Sequence, residues 1–221
     1  MKLGSELSTA AKLCPMLAWT LAPPCRLSTV GPESPGGNSS LAAGGGESFI
    51  DLVAELESWQ NLQRLRAVEG WIELGLLGEA QSELAELGAE VRRSLEGLNL
   101  QWTLFAEGQQ WDAAFAVAQQ SVELHSEDEA GWIHRAYAAR RRANGGLSLA
   151  RELLMPAVAL FPRSTTIPYN LACYAAQLDE PSTAWMWLEA AAATSEWDVI
   201  RAMAFRDPDL ESMWPRIREA P

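Results

Sequence analysis

The sequence predicts an all-α solenoid of about four helix pairs. Two observations predict it. From Phe49 onward the apolar residues recur at helical spacing with no alternating strand pattern, and small residues return at an interval close to 34 along the chain.

The first 47 residues differ in kind from the rest. Pro23-Pro24, Pro32, Pro35-Gly36-Gly37 and Gly44-Gly45-Gly46 punctuate a Ser/Thr-containing stretch without a sustained period, which predicts a disordered tail over 1–47 and a helical-repeat domain over 48–221. Lys2 to Cys25 makes a poor secretory signal: Glu6 sits in the region that should be positive, Pro15 interrupts the apolar run, and Pro23-Pro24 stands where small residues are wanted. No run approaches the ~20 apolar residues a bilayer span requires. A cytoplasmic protein is expected.

The repeat appears in register across several columns. Ala80, Ala114, Ala150 and Ala184 are spaced 34, 36 and 34, as are Leu84, Ala118, Leu154 and Leu188, and then Leu87, Ser121, Ala157 and Ala191. Upstream, Trp71, Phe105, Ala139 and Ala175 are spaced 34, 34 and 36, so the two extra residues fall between Ala139 and Ala150, where Asn144-Gly145-Gly146 supplies a turn. The small column permits close approach of two helices, and large neighbours such as Trp132 and Leu188 fill the space beside it, so the tryptophans are expected in the core. Phe49 to Ser58 is expected to cap one end of the stack. At the other end Asp207-Pro208-Asp209 reads as a helix start, with a last helix ending near Ile217. Pro156 falls inside the second helix of the third unit, Leu149 to Leu160, and should kink it.

The columns resemble the tetratricopeptide repeat (TPR). The fourth unit carries the likeness best, through Tyr169-Asn170-Leu171-Ala172-Cys173-Tyr174, Leu178-Asp179, Ala184, Leu188 and Ala191. Units two and three match through Trp111-Asp112-Ala113-Ala114 and through Trp132, Ala136, Ala139 and Pro162, while the unit around Trp71 to Leu87 is the most degenerate. The resemblance spans about residues 61–198 and implies a right-handed solenoid with capping helices, of the small kind widespread in bacteria.

It also implies a recognition protein whose first helices line a concave groove. With Trp71, Phe105, Ala139 and Ala175 taken as packed, the exposed face of the first helices would hold Glu69 and Glu73, then Asn99, Thr103 and Glu107, then Tyr137, Arg140 and Arg141, then Tyr169 and Gln177. Such a groove is acidic early and basic late, with Tyr137 and Tyr169 as the main contacts for a partner peptide or helix. The TPR clamp for chaperone C-termini uses Lys, Asn and Arg where this chain has Leu65, Glu69, Leu100, Ala130 and His134, so binding of such tails is not expected. The alternative is self-association through the end face near Met203 to Trp214.

Charge and chemistry restrict the remaining classes. Residues 1–47 are neutral and residues 48–221 carry the whole net charge of −12, which opposes nucleic-acid binding; Arg140-Arg141-Arg142 is the one basic cluster. Cys14, Cys25 and Cys173 form no CxxC pair, and His125 and His134 stand in no metal-ligand spacing. Cys173 is expected to pack within an Ala-rich helix. No nucleophile motif and no phosphate loop after a strand is present. Neither a catalytic site nor a cofactor or metal site is expected.

Overall fold

The computed structural model describes residues 49–220, and every regular element among them is helical. The Pro/Gly/Ser-rich stretch over 1–47 lies outside the described residues. Helix α1 (Phe49–Glu73) pairs with α2 (Leu77–Ala85), and a short α3 (Ala89–Arg93) follows. Then come the pairs α4 (Leu95–Glu107) with α5 (Trp111–Leu124), α6 (Glu129–Arg141) with α7 (Leu147–Leu154), and α9 (Thr166–Gln177) with α10 (Pro181–Ala192). A short α8 (Ala157–Leu160) follows α7. The chain closes with α11 (Trp197–Ala204), a 3-10 helix (Pro208–Met213) and α12 (Trp214–Arg218).

Three of the four pairs share one turn geometry, and the third unit closes a longer turn on the corresponding carbonyl. Gly75, Gln109 and Asp179 take positive φ at corresponding places, and in the third unit Gly146 does so at 133°. The amide of the next residue in the first two units and the fourth, and of Gly146 itself in the third, closes the turn. Leu76, Gln110, Gly146 and Glu180 donate to the carbonyls of Trp71, Phe105, Ala139 and Ala175 at 2.8–2.9 Å. The residues aligned by period alone are therefore the acceptors of one repeated capping bond.

Starts of helices are equally local. The Ser94 hydroxyl accepts from the Gly97 amide and the Asp128 carboxylate from the Gly131 amide, at 3.2 and 3.0 Å, and Pro181 occupies the first turn of α10. Pro156 breaks the predicted helix between Leu154 and Ala157, so the kink is a full interruption.

The core follows the small-residue column. Ala80, Ala114, Ala150 and Ala184 are fully buried, with Leu84, Leu154, Leu188 and Ala191 beside them. At these positions a larger side chain would force the paired helices apart. The tryptophans depart from expectation: Trp102 is fully buried, but Trp71, Trp111, Trp132, Trp185, Trp187, Trp197 and Trp214 are only half-buried and Trp59 is exposed. An indole with one polar edge can cover a core from its rim, as Trp132 does while donating its Nε1–H to the Ser126 carbonyl at 3.0 Å.

Candidate binding face

The first helices of the four units end on one row of residues. Glu73 is the last residue of α1, Glu107 of α4, Arg141 of α6 and Gln177 of α9. Within this row the two glutamates stand at helix C-termini, where exposed carbonyls already carry partial negative charge. Neither pairs with a cation among the described residues. Partial burial raises the Glu107 carboxyl above its ordinary value. Glu69 is exposed one turn before Glu73; Asn99 and Thr103 are half-buried on α4. Thr103 spends its hydroxyl on the Asn99 carbonyl at 2.9 Å, whereas the Asn99 carboxamide makes no hydrogen bond to the described residues.

The late end of the face is occupied by the chain itself. Segment Asp207–Met213 lies along α9, where Asp207 is buried and its Oδ2 accepts from the Tyr169 hydroxyl and the Cys173 thiol, both at 3.4 Å. Asp207 Oδ1 also accepts from the Asp209 amide at 3.0 Å, capping the 3-10 helix. Arg140 then grips Asp209 with both terminal nitrogens, Nη2 to Oδ1 at 2.8 Å, and the Gln177 amide donates to the Asp209 carbonyl at 3.0 Å. The bond to Asp209 holds the Arg140 guanidinium well above its ordinary pKa.

The packing corrects the expectation for four residues. Tyr169 is completely buried and Tyr137 nearly so, although both were expected on the exposed face. Tyr169 is covered by the C-terminal segment. Tyr137 is enclosed by Trp102 and Trp111, each with its ring centre 6.0 Å away, and by Arg141, whose guanidinium lies 3.4 Å from the Tyr137 ring centre. Arg140 and Gln177, also expected to face a partner, hold Asp209 instead. Of the ten expected residues, Glu69, Glu73, Asn99, Thr103, Glu107 and Arg141 remain on the open part.

A cleft opens beside Arg141. Its volume is about 370 Å3 and its walls are Gln109 to Ala113 and Arg141 to Ala143. The Arg142 guanidinium is held there from two sides: its Nε donates to Asp112 at 2.9 Å and its Cζ lies 4.5 Å from the Phe115 ring centre. Its terminal nitrogens make no hydrogen bond to the described residues. Arg142, Trp111 and Asp112 were missed as site residues because the period places them on the turn side of the units.

His134, at the position corresponding to a basic residue of the chaperone clamp, is turned into the protein. Its ring lies flat on Trp102, and burial pushes its pKa down to about 3, so it is neutral. Nearby Arg135 ties three helices together, with Nη1 on Gln119 Oε1 at 3.2 Å and Nη2 on the Leu153 carbonyl at 3.0 Å. No group of three or more His, Cys, Asp or Glu suited to a metal occurs among the described residues, and no helix there is long and apolar enough to cross a membrane.

Comparison with known proteins adds to this geometry. No protein-family model matches the chain, and no curated protein matches it in sequence. Among solved structures, the crystal structure of a thermophilic TPR protein in Thermus thermophilus aligns with a TM-score of 0.53 at 16% identity, covering 72% of this chain and 100% of that one. The fold is TPR-like. At that identity the likeness speaks for the architecture, an all-α helical-repeat solenoid, and the face must be read from its own residues.

Proposed function

We propose that this protein is a non-catalytic recognition module and that a partner segment binds across the ends of α1, α4 and α6. The observation that carries the reading is the pair Glu73 and Glu107. Each closes a helix at its negative end, where a carboxylate is unfavourable by about 0.3–1 kcal/mol, and neither has a cation among the described residues to offset it. A local rule broken twice at equivalent places is expected where function imposes it. A basic partner group relieves both.

The C-terminal segment favours this restriction to the early face. Leu210, Met213 and Ile217 are buried with it, and uncovering three such side chains costs several kcal/mol, at roughly 1.5–3 each. A partner would have to displace this segment to reach the late end, so the reading keeps to the early face. Self-association through the end near Met203 to Trp214 receives less support, because Ile200, Ala204, Leu210 and Met213 turn inward.

The test is capture from a native lysate by the full chain, as wild type and as the Glu73→Lys, Glu107→Lys double variant, with mass spectrometry of what is retained. A protein held by the wild type and lost from the still-helical variant supports the reading. An identical set on both sinks it.

A further inference from the structure

We infer a charge order for the partner: an extended segment, running in either chain direction along the row, that bears two basic side chains and then, at steps of about three residues, a carboxylate that seats between Arg141 and Arg142. The inference rests on the proposed binding face and goes beyond it in naming what the segment must carry.

The order comes from the row itself. Glu73, Glu107 and Arg141 end three successive first helices, so the face reads negative, negative, positive. Packed helix axes lie about 8–10 Å apart, and an extended chain rises about 3.3 Å per residue, so one step along the row corresponds to about three residues. The extended form is favoured by Asn99, whose half-buried carboxamide offers a donor and an acceptor to a peptide group, groups that the middle of a helical ligand has already used.

The positive end is built for one carboxylate. Ring contacts fix both guanidinium groups before any ligand arrives, Arg141 against Tyr137 and Trp111 and Arg142 against Phe115, so little side-chain freedom is lost on binding. Arg142 lines the cleft and Asp112 holds its Nε, which leaves its two terminal nitrogens for a two-point bond to a carboxylate. The surrounding chain carries the whole charge of −12, and the neighbouring row positions are Glu107 and Glu73. A polyanion is thereby disfavoured and a single acidic side chain flanked by basic ones is selected. The late groove cannot take the acidic residue, because Asp209 already occupies Arg140.

The probes are terminally blocked peptides: Lys-Ala-Ala-Lys-Ala-Ala-Glu, its reverse Glu-Ala-Ala-Lys-Ala-Ala-Lys, and the versions of each with Gln or Lys in place of Glu. They are titrated into the full-length protein at low salt, following the Arg side-chain Nε–H signals by NMR. The expected result is that one of the two mixed peptides shifts the Arg142 signal. Replacing its Glu by Gln should weaken it about fivefold, the scale of an exposed charge pair, and should change nothing on the Arg141→Gln, Arg142→Gln protein. Equal loss on both proteins, or no loss on either, overturns the charge order. If the all-basic peptide binds as well as the mixed one and Glu107→Gln weakens it, the face stands and the carboxylate seat falls. If no peptide binds at millimolar concentration, both readings fall.

Discussion

His134 stacks on Trp102 with ring centres 3.7 Å apart and planes 7° from parallel. The pair joins α4 to α6 inside the protein, and it places a titratable ring where a proton cannot be solvated.

Acid sensitivity follows. The folded pKa of His134 is pushed from 6.5 down to about 3, so between those values the unfolded chain binds the proton and the folded one does not. This contribution is complete above pH 6.5 and is lost as pH falls toward about 3, at up to roughly 1.4 kcal/mol per pH unit. The His134→Phe variant keeps the stack and removes the titration. Urea unfolding should find the two proteins similar near neutral pH and the variant ahead by about 3 kcal/mol near pH 4.5. Parallel pH curves would show that the ring is protonated in place.

Removing charge from the row should stabilise. Glu73→Gln and Glu107→Gln are each expected to raise stability by about 0.3–1 kcal/mol, because each removes a carboxylate from a helix C-terminus. The same substitutions should weaken the partner captured by the wild type. Thermal melts alongside capture check this trade, and a loss of stability would mean that the glutamates have a structural partner.

The clasp between Arg140 and Asp209 is partly buried and two-pronged. A double-mutant cycle with Arg140→Met and Asp209→Asn should return a coupling of about 1–2 kcal/mol, above that of an exposed pair. Additive effects would contradict the geometry.

Two glycines should respond in opposite directions to alanine. A Cβ on Gly97 would stand 2.1 Å from the Val91 carbonyl oxygen, so backbone must move, and Gly97→Ala should cost about 1–3 kcal/mol. Gly78, in α2, has nothing within 4 Å of that position, and Gly78→Ala should stabilise by about 0.5–1 kcal/mol through the unfolded chain. Chemical denaturation of the two variants checks both signs.

Much of this architecture was legible because its cause is local. The column Ala80, Ala114, Ala150 and Ala184 marks helix contacts made within each pair, and the turn-closing bond accepted by Trp71, Phe105, Ala139 and Ala175 recurs in all four units. The candidate face was legible only in its early half. Helical period shows which side of α9 turns away from α10, but not that Asp207–Met213 returns to cover Tyr169 and Gln177. One available signal was missed: Asp207 stands 34 residues after Cys173, the repeat interval, and is the residue to which Cys173 donates. The enclosure of Tyr137 depends on three side chains from three helices, and no single window of sequence contains them.

In a stack of repeats that touch only their neighbours, each unit can fray without the one beyond it. Arg140 and Asp209 are 69 residues apart, two repeat lengths, and the bond between them crosses over the unit that holds α9 and α10. It couples next-nearest neighbours, a term that a chain of pairwise interfaces lacks. The block from α6 to α12 is expected to unfold more cooperatively than the units outside that loop of contacts, α1 with α2 and α4 with α5, which are the ones free to open first.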